Sequence, residues 1–179
     1  MIVELAEIAA DIGFGGVRRA PVERQRAADP LAAIDTGGNR FDVVIRGWDL
    51  ERRSWLIDRF TIRQRMHPDG VMRDIRPTRV ADDWLVLESQ VIDRLIPMQS
   101  DPSKAMPVAV TMIDTGDGNA TWLAYEFARR MDKKRWGDWR KVRCIKGVGG
   151  KRERLPAPTK ISKDSEGKVV KPVITLHTL

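Results

Sequence analysis

The sequence predicts a mixed α/β domain built on a central sheet that is flanked by helices. Three strand-like segments follow one another between residues 31 and 62 and are joined by short polar turns. Helical and strand-like patterns then alternate between residues 80 and 146, an order of elements that is typical of mixed α/β folds. At 179 residues the chain is long enough to bury a sizeable core, so both observations indicate a single globular domain.

Residues 1–29 are predicted to form a helical leader that precedes this domain. The apolar start of the chain carries acidic residues, and it lacks the basic segment and the small-residue cleavage pattern of a signal peptide. Glycines then interrupt the pattern, and Pro30 marks a boundary. The domain itself is therefore assigned to residues 30–179, and it is expected to become basic and partly irregular from about residue 148.

The first three strands are expected to form an antiparallel meander. An apolar run at residues 31–34 ends at Asp35 and is followed by the turn-forming segment 36–39. Residues 41–48 alternate in part between apolar and polar side chains, and a polar turn separates them from the strand-like segment 55–62. Because the connections are short, consecutive strands are predicted to run in opposite directions.

The later elements are predicted from helical spacing, one apolar run and a proline break. Apolar residues at helical spacing predict a helix over 80–96 that Pro97 ends, and an almost entirely apolar run predicts a buried strand over 108–113. A helix over 120–131 and strands over 141–146 and 169–176 complete the expected order. Four tryptophans fall on apolar faces and are predicted to lie in the core: Trp48, Trp55, Trp84 and Trp122.

Charge is distributed unevenly along the chain. The net charge is +7, and segment 129–171 has 16 Lys or Arg residues against 5 Asp or Glu residues. Such an excess indicates a polyanionic partner, although a solvated basic face is the alternative interpretation. The single cysteine, Cys144, excludes an internal disulfide framework and a cysteine-based zinc cluster. No apolar run is long enough to predict a membrane span.

A local pattern that occurs twice carries most of the chemical information. An apolar run leads into Asp35-Thr36-Gly37, and a second apolar run leads into Asp114-Thr115-Gly116. Each aspartate thus stands where a buried strand leaves the sheet, a position where a charged carboxylate is costly unless it is paired. If the two strands are neighbours, Asp35 and Asp114 can hold divalent cations for phosphodiester hydrolysis. The alternative is that each aspartate only caps a turn or a helix.

Two Asp-Thr-Gly segments are also the pattern of an aspartic protease, in which two carboxylates share a proton. That fold is nearly all β, and a small Ala or Ser usually follows its glycine, whereas Gly38 and Asp117 follow here. The basic segment has no evident purpose in a protease. The only histidines, His67 and His177, are too few and too far apart for a zinc site, and no Walker-type nucleotide motif is present.

Several short segments, taken in order, form a specific set that spans about residues 31–179. They are Asp35 to Asp42 with its Arg40-Phe41-Asp42 step, Gly47-Trp48, Ser54-Trp55-Leu56-Ile57-Asp58, Asp114-Thr115-Gly116 with Tyr125-Glu126 in the next helix, and Val142-Arg143-Cys144-Ile145-Lys146-Gly147. This set resembles the nuclease domain of the lambda-type phage terminase large subunit.

The resemblance implies an RNase H-like fold and a two-metal endonuclease that cuts concatemeric double-stranded DNA during genome packaging, with Mg²⁺ or Mn²⁺ as cofactor. It implies that Asp35 and Asp114 are the catalytic, metal-binding residues, and Asp42 and Asp117 are weaker candidates for a supporting ligand. The residues expected to contact DNA are Arg40, Lys141, Arg143, Lys146, Lys151, Arg152 and Arg154. The implied partners are a terminase ATPase segment, the small subunit and the portal, in the cytoplasm of the host cell.

One departure from the family pattern leaves a competing interpretation open. Where the family has Gly-x-Asp-Thr near its last strand, this chain has Leu176-His177-Thr178-Leu179. A third carboxylate is therefore replaced by His177 or lies beyond the end of the chain. The competing class is a catalytically inactive DNA-binding or assembly module that keeps the fold and the basic surface.

Overall fold

The computed structural model describes residues 29–51, 53–98, 101–116, 118–135, 137–138 and 141–148, and the backbone of three short strands between residues 162 and 177. The predicted helical leader lies outside the described residues except for Asp29. Most of the predicted irregular segment beyond residue 148 also lies outside them.

Strands predominate in the described part of the chain. In chain order they are β1 (Asp29–Thr36), β2 (Phe41–Trp48), β3 (Ser54–Ile62), β4 (Gln64–Met66), β5 (Met72–Asp74), β6 (Leu95–Pro97), β7 (Ala105–Pro107), β8 (Val110–Asp114), β9 (Lys141–Val148), β10 (Ser162–Lys163), β11 (Val169–Val170) and β12 (Ile174–His177). The α-helix α1 spans Thr121–Lys134, and two short helical turns span Ala81–Leu85 and Glu88–Ile92. No helix within these described segments is long and apolar enough to cross a membrane.

Six strands form one mixed sheet in the order β12-β9-β8-β1-β2-β3. The first three are an antiparallel meander, as the sequence predicts, and β8, β9 and β12 run parallel to β1. The turn between β1 and β2 is closed by a hydrogen bond from the Gly37 amide to the Arg40 carbonyl (2.9 Å). The helix α1 lies in the crossover between the parallel strands β8 and β9, where a long connection is required. The predicted mixed α/β class is confirmed.

The two faces of the sheet carry separate apolar clusters, because successive side chains of a strand point to opposite faces. Ile34 and Ile113 belong to the larger cluster, which includes the buried side of α1, and we call this side the helix face. Ala33, Met112 and Ile145 belong to a smaller cluster, on the side that we call the second face. This alternation decides which polar side chains at the strand ends lie together.

The helix α1 confirms the prediction for residues 120–131 and extends slightly further. Leu123, Phe127 and Met131, spaced four residues apart, are buried against the helix face. Lys133 and Lys134 occupy the last turn, where positive charge interacts favourably with the helix dipole. The helix therefore covers the sheet with one side and exposes the other.

The helix predicted over 80–96 is confirmed only over residues 81–92, and its pitch changes along the segment instead of staying α-helical. Its first part forms two turns of different pitch, a 3-10 turn and a π turn, in which Trp84 and Val91 are buried. The helical geometry ends at Asp93, and β6 then pairs with β7. Short helices derive most of their stability from tertiary packing. The local structure is therefore decided by the burial of Trp84 and by the β6–β7 pairing. The Nε1 of Trp84 donates a hydrogen bond to the Pro77 carbonyl (2.9 Å).

The hairpin of β4 and β5 falls in a segment whose sequence predicts no element. Gly70 in its turn has a φ of 79°, a conformation that favours glycine. The base of the hairpin is anchored by Asp83, which is 3% exposed. Its carboxylate accepts hydrogen bonds from Arg65 Nε and from the Arg76 amide, both at 2.7 Å.

The prediction that four tryptophans lie in the core is correct for only part of the set. Trp84 is 1% exposed and contacts Phe41 edge-on, with ring centroids 4.9 Å apart. Trp48 is half-buried and packs against the second-face cluster. Trp55 and Trp122 are 41% and 45% exposed, so the prediction is wrong for them. The reason is their position, since Trp55 lies on the edge strand β3 and Trp122 lies on the outer side of α1.

Candidate functional site

Asp35 and Asp114 lie at the carboxyl-terminal ends of neighbouring parallel strands. Ile34 of β1 is in register with Ile113 of β8, so the next residue of each strand is an aspartate. Two positions earlier, Ala33 and Met112 both belong to the second-face cluster. Strand alternation therefore places both aspartates on the second face. The condition set by the sequence, that the two strands be neighbours, is met.

Asp42 brings a third carboxylate to the same end of the sheet. It is the direct partner of Asp35 in the antiparallel pairing of β1 and β2. Its Oδ2 accepts a hydrogen bond from Arg40 Nε (2.7 Å), and its Oδ1 accepts one from the hydroxyl of Thr61 on β3 (2.6 Å). Asp42 thus accepts hydrogen bonds from one positively charged and one neutral side chain. Within the described residues, no side chain donates a hydrogen bond to Asp35.

These surroundings shift the pKa values of the two carboxyls in opposite directions. The pKa of Asp35 is raised by burial, and then by the neighbouring negative charges of Asp114 and Asp42. Burial also acts to raise the pKa of Asp42, but hydrogen bonds from Thr61 and Arg40 outweigh it and lower that pKa. Asp42 is therefore held ionised beside a carboxyl whose ionisation is disfavoured. A bound cation is the simplest means of relieving such crowding.

The loop after β8 fixes the orientation of Asp114. The Gly116 amide donates to Asp114 Oδ1 (2.9 Å), and a Cβ at residue 116 would lie only 3.3 Å from the same oxygen. Thr115 anchors the loop to β9, because both its amide and its hydroxyl donate to the Ile145 carbonyl at 2.8 Å. The Asp-Thr-Gly sequence thus supplies an anchored residue and a close-packed residue directly after the carboxylate.

Oxygen donors at this end of the sheet suit a hard divalent cation such as Mg²⁺ or Mn²⁺. Asp35 and Asp114 are the residues that could hold one, and Asp42 is near enough to affect Asp35 electrostatically. Among the residues that the structure describes, no three His, Cys, Asp or Glu side chains are grouped closely enough to hold a metal ion together. Asp117, the other candidate supporting ligand, lies outside the described residues.

The residues predicted to contact DNA are only partly brought together. Arg40 lies beside the carboxylates through its bond to Asp42. Lys146 is exposed, but it follows Ile145 of the second face, so alternation places it on the helix face. Arg143 is 3.5 Å from Asp132 and donates to the Val142 carbonyl. Lys141 begins β9, but its side chain is not described, and three residues lie outside the described part: Lys151, Arg152 and Arg154.

His177, which stands where the family pattern has a carboxylate, ends β12. Its backbone is in register with Val148 of β9. The strand β9 therefore lies between it and β8, the strand that carries Asp114.

Sequence reasoning missed Thr61 as a functional candidate. Its role depends on the register of β2 with β3, and an irregularity at Ile45 and Arg46 shifts that register. Simple counting along the meander does not pair Thr61 with Asp42, so no local signal in the sequence identifies it.

Comparison with known protein families identifies a match that covers most of the chain. A family model described as "Terminase large subunit gpA, endonuclease domain" matches residues 23–179, which includes every described residue. No curated protein and no solved structure matches the chain significantly.

Proposed function

The chain belongs to the terminase large subunit gpA endonuclease-domain family, and from this premise we propose that it is a metal-dependent endonuclease that cuts concatemeric double-stranded DNA during phage genome packaging. We also propose that its fold is RNase H-like. The strand order supports this, since an antiparallel meander lies on one side of β1 and parallel strands lie on the other.

One observation carries the proposed activity: Asp35 and Asp114 end adjacent parallel strands and share the second face. Two carboxylates at such a position destabilise each other unless a cation lies between them. Proteins that only need a stable sheet gain nothing from this arrangement. The raised pKa of Asp35, caused by burial and by the charges of Asp114 and Asp42, is typical of a functional carboxylate.

In the proposed mechanism Asp35 and Asp114 would hold Mg²⁺ or Mn²⁺ through their carboxylate oxygens. The bound cations would supply an activated water and a neutralised leaving oxygen for phosphodiester hydrolysis. Gly116 orients the Asp114 carboxylate by its hydrogen bond to Oδ1. Arg40 and Thr61 hold Asp42 ionised next to Asp35, so Asp42 adds negative charge that favours cation binding. Arg40, half-buried beside the carboxylates, is suited to contact a scissile phosphate.

The proposed substrate and partners follow from the family. Double-stranded DNA would approach the second face at the carboxylate end of β1 and β8. Within the assembled terminase, an ATPase segment, a small subunit and the portal would bring DNA to this domain in the host cytoplasm. The excess of basic residues in segment 129–171 supports a polyanionic substrate.

Plasmid cleavage tests the proposal. The wild-type chain is incubated with supercoiled plasmid in Mn²⁺, Mg²⁺ or EDTA and compared with Asp35→Asn, Asp114→Asn and Asp42→Asn. Asp69→Asn is the matched control, because Asp69 is an exposed aspartate at the tip of the β4–β5 hairpin. We expect metal-dependent nicking that Asp35→Asn and Asp114→Asn abolish, that Asp42→Asn reduces and that Asp69→Asn leaves unchanged.

A catalytically inactive DNA-binding module is the second candidate. It is favoured by the absence, in the described segments, of a group of three potential ligands. If the wild-type chain binds DNA but cuts none with either cation, the nuclease proposal fails and this candidate replaces it. Cleavage that persists in Asp35→Asn and Asp114→Asn would show that other residues carry the activity.

A further inference from the structure

Two arginines, Arg59 in the edge strand β3 and Arg63 just after its end, lie beside the carboxylates. Thr61 bonds to Asp42 across the β2–β3 pairing, so its side chain lies on the second face. Arg59 lies two residues before Thr61 and is in register with Val44, which lies two residues after Asp42. Arg63 follows Thr61 by two residues and is close enough to Asp42 to help lower the pKa of that carboxyl. By alternation, Arg59 and Thr61 lie in one row, and Arg63, one residue past the end of β3, lies near the same carboxylate.

Both arginines are exposed, and neither side chain has a hydrogen bond or ion pair among the described residues. Most of the nearby arginines are already engaged. Arg53 is paired with Asp49 and Glu51, Arg73 with Asp69, and Arg94 with Asp58. Unpaired, exposed guanidinium groups beside a carboxylate site are available for phosphate, which they bind in bidentate fashion.

The surroundings of Arg63 leave room for a ligand. It lines an open recess together with Thr61, Gln64 and Gln90, and one acidic residue, Asp74, also borders it. The Asp74 carboxylate is engaged by Gln64, whose Nε2 donates to Oδ1 at 2.9 Å. The recess therefore lies at the edge of the sheet, between the end of β3 and the β4–β5 hairpin.

Resting on the proposed function, we infer that Arg59 and Arg63 bind the phosphate backbone of double-stranded DNA on the β3 side of the site. Four residues of extended chain span about 13 Å. That distance equals the axial rise of about four nucleotides of one strand. The two arginines can therefore contact separate phosphates of a duplex that crosses the sheet edge. The DNA-binding surface would then include β3 in addition to the basic residues predicted from the sequence.

The salt dependence of DNA binding tests this inference. Binding of a labelled 30-base-pair duplex is measured in EDTA by fluorescence anisotropy at several salt concentrations, for the full chain and for Arg59→Gln, Arg63→Gln and the double variant. The plot of log K against log salt has a negative slope, and each lost phosphate contact should make that slope shallower by about 0.9. The slope of the double variant should therefore be shallower than that of the wild type by about 1.8. The weakening should be the same for duplexes of different sequence, because phosphate contacts carry no base information.

The double variant Arg53→Gln/Arg73→Gln is the matched control. It removes the same net charge from two exposed arginines that are engaged with carboxylates, and its slope should stay near that of the wild type. The inference is overturned if the slope of Arg59→Gln/Arg63→Gln equals that of the wild type. It is also overturned if the slope of the control variant changes by the same amount. The cleavage assay is read separately. If the double variant loses salt dependence but the wild-type chain cuts no DNA, the nuclease is refuted and the arginine contacts stand. If the wild-type chain cuts DNA but the double variant keeps its salt dependence, the nuclease stands and the arginine contacts are refuted. A chain that binds no DNA in EDTA overturns the proposed arginine contacts, and cleavage with Mn²⁺ or Mg²⁺ then decides the nuclease.

Discussion

Replacing Asp83 with asparagine should destabilise the fold far more than replacing any exposed aspartate of the same hairpin region. Asp83 is 3% exposed, and its carboxylate accepts from Arg65 Nε and from the Arg76 amide. The side chain of Arg65 is only 13% exposed. The substitution therefore leaves a largely buried guanidinium without its counter-charge, and breaking a buried pair in this way costs about 3 kcal/mol or more.

The Asp69–Arg73 pair provides an internal comparison at the tip of the same hairpin. Its side chains are 48% and 50% exposed, so solvent screens the attraction between them. Asp69→Asn should therefore cost less than about 1 kcal/mol. For a domain of this size, 1 kcal/mol shifts the melting temperature by roughly 2–4 °C, so Asp83→Asn should lower it by about 6–12 °C.

Urea unfolding followed by tryptophan fluorescence measures both variants. Trp84 is buried next to Asp83 in the chain and reports on this region directly. The midpoint should fall while the dependence of the unfolding free energy on urea stays constant, because the exposed surface of the unfolded chain is the same. If Asp83→Asn costs no more than Asp69→Asn, burial does not set the strength of the Asp83–Arg65 pair and the reasoning is wrong.

Three further predictions concern the site and its neighbourhood. Because burial and the charge of Asp114 raise the folded-state pKa of Asp35 above 3.8, unfolding free energy in EDTA should fall as pH rises through that pKa. Asp35→Asn should consequently be the more stable protein at neutral pH, lose this advantage on acidification, and gain less from added Mn²⁺ than the wild type in thermal melts. Gly116→Ala should reduce cleavage with little loss of stability, since its Cβ would lie 3.3 Å from Asp114 Oδ1, whereas Gly118→Ala meets no atom within 4 Å and should cut normally. Burial raises the pKa of the Cys144 thiol to about 12, so a thiol reagent at pH 8 should label it only after unfolding, and rapid labelling of the folded chain would contradict its burial.

The parts of the site that could be predicted from the sequence are those encoded locally. An apolar run followed by Asp-Thr-Gly marks a strand end, and it occurs at both Asp35 and Asp114. The pairing of the two strands was a hypothesis, and the register of Ile34 with Ile113 supports it. The DNA-contact residues remain predictions, because several of them lie outside the described residues.

The parts that could not be predicted depend on partners that are distant in the sequence. Thr61 meets Asp42 only because the register of β2 with β3 shifts near Ile45. Trp55 has the same apolar character as a core residue, but its exposure follows from the edge position of β3, which no local pattern reveals. Likewise, the helical spacing of apolar residues over 80–96 gives no indication that the end of this segment pairs as β6 with β7.

The parallel pairing of β1 with β8 also sets when the site can exist. Asp35 and Asp42 face each other across a short hairpin turn, so they can meet early during folding. Asp114 joins them only after the whole chain between β1 and β8 has been synthesised and its ends have come together, a slow, non-local step. A nascent or partly folded chain that contains only the meander holds two carboxylates that repel each other and lacks the third. On the proposed assignment, the capacity to cut DNA appears only after β8 has paired with β1.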